Sequence, residues 1–271
     1  MVQFLTIAAI AAALLAGLFA HAHRRREYAA ADTEDGSVSD LISPLETLAV
    51  LLVAFVIVVA AESYGTASAA AETEASRIDH LYEVADYAPD PQRRQIQADA
   101  ICYTRAVRAH EWPLMKDGGG ASPKVSVWSS GLRSSFKQLS ADPDERFTLL
   151  VQADDDRSEA RHARIAEATP AIPPVVYWFM VVSLAATIGA FAFGLPRNRG
   201  PGHLTLLLTL AVLFTGSLLL IQDIDRPFDG VIRVTDSAMA ETAADISDDF
   251  RRDHPGAGLP CDGEGNPRTS D

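Results

Sequence analysis

Residues 43–87, SPLETLAVLLVAFVIVVAAESYGTASAAAETEASRIDHLYEVADY, decide the architecture of this chain. Ser43-Pro44-Leu45-Glu46 has the form of a capping box, with Ser43 as N-cap, Pro44 at the first helical position and Glu46 three residues on, so a helix is expected to start here. Leu48 to Ala61 then contains no charge and no glycine. In lipid, such a segment can satisfy its backbone polar groups only by helical hydrogen bonding. Glu62 marks the far surface. Beyond it Ser63 to Ala75 is rich in Ala and Ser, and Ile78, Leu81, Tyr82 and Ala85 keep a helical spacing until Pro89. At the helical rise this stretch would be about 65 Å long, roughly twice the hydrocarbon thickness. The pattern thus predicts one helix that spans a membrane and continues outside it.

Working outward, the 271 residues are 48% hydrophobic yet carry a net charge of −13, and the charge is segregated. Val2–Ala20, Leu45–Ala61, Val175–Gly194 and Leu204–Ile221 are almost free of it. Each approaches the length needed to cross a bilayer as a helix. The fold class expected is therefore an all-α integral membrane protein with four transmembrane helices. Residues 1–61 hold spans one and two, 62–172 a helical soluble domain, 173–222 spans three and four, and 223–271 a polar turn motif and a mostly disordered acidic tail. The basic cluster Arg24-Arg25-Arg26 follows the first apolar run instead of preceding it, the wrong order for a cleaved signal, so that run reads as a retained span.

Short loops orient spans through their Lys and Arg content. Arg24, Arg25 and Arg26 after span one, with Arg197 and Arg199 between spans three and four, put both links in the cytoplasm. The soluble domain and the C-terminus are then extracytoplasmic. The three lysines, Lys116, Lys124 and Lys137, against many arginines and alanines suggest a GC-rich bacterial genome and a bacterial plasma membrane. Asp90-Pro91 begins a helix that should end near Glu111-Trp112-Pro113, because a residue preceding proline is pushed out of the helical region. Another helix is expected over Val125–Leu139. A third follows Asp142-Pro143-Asp144-Glu145 and reaches Ala168. Pro255 to Asp271, rich in Gly, Pro and Asp, is expected to be disordered.

Catalytic constellations are missing: the chain has no phosphate loop, zinc-protease helix motif or nucleophile elbow. His110 beside Glu111 reads as a solvated pair. Asp154-Asp155-Asp156 reads as a solvated charge run, since consecutive acids on a helix lack calcium-loop spacing. An enzyme is not expected, and no cofactor or metal is implied. The acidic balance excludes nucleic acid as a partner. The partners expected are a lipid bilayer, further copies of the chain, and anions. None of the spans carries an ionisable group near its centre, which speaks against ion-coupled transport. Only Ser183, Thr187, Thr209, Thr215 and Ser217 offer hydroxyls there, and such groups commonly bond back to their own helix. Four spans leave little room for a pore inside one protomer, so a pore would lie on a symmetry axis between copies. The small residues Ala67, Ala71 and Ala75 fit either self-association or packing within the protomer. Cys102 and Cys261 lack zinc spacing. If both lie outside the cell they share an oxidising compartment and could form a disulfide.

Several motifs converge on a known family. His110-Glu111-Trp112-Pro113-Leu114-Met115, the paired spans with a short basic link, and Asp225-Arg226-Pro227-Phe228-Asp229-Gly230 after the last span together resemble the bestrophin-like family of bacterial membrane proteins. That family is distantly similar to bestrophins, pentameric anion channels with four spans per subunit, a helical soluble region between spans two and three, and a Pro-Phe-Gly turn after span four. Pro227-Phe228 matches that turn, while Asp229 separates Phe228 from Gly230. The resemblance implies an anion-channel-like homo-oligomer in which span two, through Leu51, Leu52, Phe55, Val58 and Val59, lines the pore. It also implies a cytoplasmic soluble region, opposite to the arginine count. The arginines act directly on insertion and are followed here. The alternative is a non-conducting membrane anchor whose extracytoplasmic helical domain binds a partner or senses envelope conditions.

Overall fold

A computed structural model describes residues 2–27, 36–140, 145–195 and 201–268. The elements in order are α1 (Val2–Glu27), α2 (Gly36–Val84), α3 (Gln92–Ala106), α4 (Trp112–Lys116), α5 (Pro123–Leu139), α6 (Glu145–Ala166), α7 (Pro174–Phe193), α8 (Pro201–Ile224) and α9 (Ser237–Asp253). Among the described residues the only extended pairing is an isolated antiparallel bridge between Cys261 and Pro267. Four helices are long and apolar enough to cross a membrane, and they contain the four expected spans. Arg197, Arg199 and the Asp142-Pro143-Asp144 start signal lie outside the described residues.

The chain divides into two compact units, residues 1–62 with 171–225, and residues 63–170 with 226–271. The first unit is a bundle of apolar helices. Its core contains Ile10, Ala49, Val56, Ala60, Met180, Leu184, Ile188, Leu218 and Ile221. Without a hydrophobic effect between helices in lipid, close backbone approach and occasional hydrogen bonds must hold such a bundle together. Both occur between α1 and α7. A Cβ added at Gly17 would lie 2.6 Å from the Gly189 carbonyl oxygen, and the Thr6 and Tyr177 hydroxyls are 2.9 Å apart. His21 is buried beside the Phe193 carbonyl at 3.2 Å. Gly17→Leu is expected to separate α1 from α7 and lower the detergent-solubilised melting temperature by several degrees. Gly216→Leu, at a glycine with nothing near its missing Cβ, should change it little.

The second unit is helical and built around Ile78, Leu81, Ile96, Ile101, Tyr103, Trp112, Leu132, Phe228, Met239 and Phe250. Ala67, Ala71 and Ala75 belong to this same buried cluster, so the small-residue stripe packs within the protomer.

Three local expectations need correction. Helix α2 begins at Gly36, upstream of the capping box, with Pro44 inside it. A proline inside a helix forfeits one backbone hydrogen bond and crowds the carbonyl four residues back, a local cost that the neighbouring helical bonds of a 49-residue helix outweigh. The expected break at Trp112-Pro113 is absorbed by a widened turn over Val107–Glu111, after which α4 continues with Pro113 in its first turn. Spacing the backbone bonds one residue further removes the clash a proline makes in a regular helix.

The largest correction concerns the C-terminus. Ser237–Asp253 is a helix, and the following segment through Arg268 is ordered instead of disordered. Met239, Ala243, Ile246 and Phe250 form the buried face of α9. Past α9, Cys261 is fully buried and bonded to Cys102 of α3, with Cα atoms 5.8 Å apart. The Trp128 indole N–H donates to the Gly265 carbonyl at 2.8 Å. Gly265 has φ +76°, and a Cβ there would come within 2.3 Å of the Ala106 nitrogen. Composition suggested disorder because this segment has little apolar surface of its own, but tertiary contacts supply what its sequence lacks.

Candidate functional site

The residues singled out by sequence fall in two places, an apolar face in the first unit and a polar core in the second. In the first unit, Ala49, Val56 and Ala60 turn one side of α2 into the core. Leu48, Leu51, Phe55 and Val58 recur at spacings of three and four on another side and are exposed, Phe55 to 70%. Leu52 and Val59 sit half-buried at the flanks. Between Leu48 and Ala61 no ionisable side chain interrupts that surface. Ser183, Thr187, Thr209, Thr215 and Ser217 each donate to the carbonyl four residues back in their own helix.

Asp225, first residue of the turn motif, accepts the Ile172 backbone N–H at 2.9 Å and so ties the entrance of α7 to the exit of α8. The remaining motif residues belong to the second unit. Trp112 and Phe228 meet edge to face with centroids 5.9 Å apart. The Trp112 indole N–H reaches the Val234 carbonyl at 3.5 Å, and the Val234 N–H donates to the Pro227 carbonyl at 2.7 Å. Gly230 has φ +85°, a left-handed conformation that other residues adopt only with strain. Arg226 faces Asp229 at 4.0 Å on the surface. The structure therefore brings Glu111-Trp112-Pro113 and Pro227-Phe228 to one place, although more than a hundred residues separate them in sequence.

Glu111 anchors a network that sequence reasoning missed. It was read as solvated, but it is completely buried. Arg161 donates to both of its oxygens and Arg164 donates to Oε2 at 2.6 Å. The Ser122 N–H adds a bond to Oε1 at 3.0 Å. Arg164 is likewise fully buried and also donates to Glu74 of α2, which accepts the Tyr103 hydroxyl as well. The guanidinium of Arg164 lies 4.9 Å from the centroid of the Trp112 ring, and that of Arg157 lies 4.8 Å from the centroid of Tyr103. Arg157 pairs with Asp154 at 2.6 Å, so this member of the expected solvated acid run is also buried. Its neighbour Arg157 takes the first residue of the run inward, while helical geometry turns the next ones elsewhere.

These groups balance: Arg157, Arg161 and Arg164 face Asp154, Glu111 and Glu74. Burial raises the carboxyl pKa of Glu111, but the Arg161 bond and the two arginine charges outweigh it and hold the group below its ordinary range. Burial and the adjacent Glu74 charge push the Tyr103 hydroxyl well above its ordinary range. Both states are those of a fixed ionic core, with Glu111 charged and Tyr103 a neutral donor. A signal for this core was present in sequence, since arginines at 157, 161 and 164 share the face of Leu150, Ala153 and Ala160 on α6. No group of three or more His, Cys, Asp or Glu side chains among the described residues is arranged to hold a metal.

Comparison with known proteins gives a family and a fold. The family model described as the bestrophin-like domain matches residues 7–239. Two crystal structures of mutants of a bacterial bestrophin homolog from Klebsiella pneumoniae superpose with TM-scores of 0.67 and 0.68 at 12% and 11% identity. They cover 90% and 92% of this chain, which in turn covers 98% and 99% of theirs. A further structure of the homolog, phased on zinc, gives a TM-score of 0.57 at 13% identity, with coverage of 92% and 99%. Comparison with curated protein sequences finds no match.

Proposed function

The chain belongs to the bestrophin-like family, and from that premise we propose that it forms a homo-oligomeric, anion-channel-like pathway whose axis is lined by α2. The observation that carries this reading is the exposed stripe Leu48, Leu51, Phe55 and Val58, on a segment that bears no charge from Leu48 to Ala61. Copies of this stripe around an axis would make an apolar constriction. Such a constriction gates by wetting and favours weakly hydrated anions over chloride. Purified protein in liposomes should pass iodide or nitrate down a gradient. Phe55→Glu, which would place a ring of carboxylates at the axis, should abolish that flux without dissociating the oligomer. A monomer in mild detergent with no anion flux under any gradient would sink the proposal and leave a membrane anchor.

In this reading the second unit and the C-terminus are extracytoplasmic. Support comes from Cys102 and Cys261, whose pairing suits an oxidising compartment, and from the arginines of the two short links. This orientation is opposite to the one that the likeness to bestrophins implies.

A further inference from the structure

We propose that the cleft between the start of α3 and α5 is a binding site for a small primary ammonium compound, with Asp99 as its counter-ion. The cleft has a volume of about 480 Å³, within the range of small-molecule sites. Gln92, Gln95, Ser134, Ser135 and Gln138 give it polar walls, Trp128 contributes an aromatic one, and Asp99 and Gly131 are part of its lining.

Asp99 is only 2% exposed. Its Oδ1 accepts the Gln95 side-chain amide at 2.9 Å, whereas its Oδ2 has no hydrogen-bond partner among the described residues. A buried carboxylate oxygen left in that condition is costly, and the molecule that relieves it must bring a hydrogen-bond donor and preferably a positive charge. Oδ2 packs against Gly131, where an added Cβ would lie 2.7 Å from it, so a side chain there would displace the carboxylate.

The remaining chemistry selects among cations. A divalent metal needs several oxygen ligands of high charge, and one carboxylate among amides and hydroxyls does not provide them. A primary ammonium carries three donors for Oδ2 and the neighbouring amide and hydroxyl oxygens, and its alkyl part can rest on Trp128. Arg94 is the one cationic side chain of the lining, which limits the ligand to a single ammonium end near it. The net charge of −13 raises the local concentration of such cations. Burial lifts the Asp99 carboxyl to about 7, against the opposing effect of the Gln95 bond. Ammonium binding draws on the ionised form, so affinity falls as pH drops below that value.

The test is calorimetric titration of the full-length protein in detergent with butylamine, at about pH 8 and again at about pH 6, with tetramethylammonium as a cation lacking N–H donors. Saturable binding of one butylammonium per chain, weaker at the lower pH and weaker for tetramethylammonium, is the expected result. Asp99→Asn should weaken it by on the order of tenfold to a hundredfold. Gly131→Ala should do the same while keeping the carboxylate. Melting temperatures report whether each variant is folded, and the wild-type pH dependence stands without any variant. No saturable binding by wild type up to about 10 mM, meaning a cleft that holds only solvent, would overturn the proposal. So would equal affinity for tetramethylammonium, or undiminished affinity in folded Asp99→Asn.

Discussion

Arg164→Ala is expected to destabilise the second unit by about 3–5 kcal/mol, the range for breaking a buried ion pair by removing one partner. Arg164 is fully buried and serves Glu74, Glu111 and the face of Trp112 together. Among the described residues its loss would leave Glu74 with the Tyr103 hydroxyl and Glu111 with Arg161 and the Ser122 N–H. The penalty arises mainly from carboxylates stranded without water, so it exceeds what the pair itself contributes relative to an apolar core. Arg164→Lys retains the charge but loses the planar fork that reaches two carboxylates, and should recover only part of the loss. Arg164→Met combined with Glu74→Gln should likewise cost less than Arg164→Ala, because one stranded charge is gone. Denaturant unfolding of the full-length protein, followed by the fluorescence of its tryptophans, measures each case. A loss below about 1 kcal/mol for Arg164→Ala, in the range of exposed pairs, would show that water reaches this core.

Replacing Cys102 and Cys261 together by serine is expected to lower stability by about 2–5 kcal/mol and to release the C-terminal segment. The closed loop is long, with a sequence separation of 159, so the cross-link removes much freedom from the unfolded chain. In the folded chain the segment it holds is also tied by the Trp128 bond to Gly265, the approach of Gly265 to Ala106, bonds from the Arg105 side chain to the Asp262 carbonyl and from Lys124 Nζ to Asn266 Oδ1, each at 3.1 Å, and the packing of Ala257 and Leu259 against the core. Reductant should lower the melting temperature of wild type and leave the double variant unchanged. After reduction, an impermeant maleimide should label Cys261 in intact cells. Two freely reactive thiols in the native protein would refute the pair, and a Cys261 that stays unlabelled in reduced intact cells but is labelled once those cells are lysed would place the segment in the cytoplasm.

The parts of the fold that were legible in sequence are those governed by local rules. A run such as Leu48–Ala61 has one way to satisfy its backbone in lipid, so α1, α2, α7 and α8 could be read from composition and length. The Glu111-Trp112-Pro113 and Arg226–Gly230 motifs could be flagged, and Gly230 has its reason in a left-handed turn. Their purpose could not be read, because Trp112 and Phe228 explain each other only when they touch. Helix α9 carried a helical pattern in Met239, Ala243, Ile246 and Phe250, hidden by the acidic residues on its other face. The arginine row of α6 was hidden by the sound habit of assigning charge to solvent.

By itself, then, the sequence determined the four spans, the all-helical class and the segregation of charge from apolar surface, since each follows from forces acting within one turn or one bilayer thickness. Only the tertiary structure decided that Arg164 meets Glu74 from 90 positions away, that Glu111 lies in the core instead of in water, and that residues 255–268 are ordered. Charges pair and tails dock through contacts that chain folding creates between distant segments. No local propensity encodes which partner a buried arginine will find.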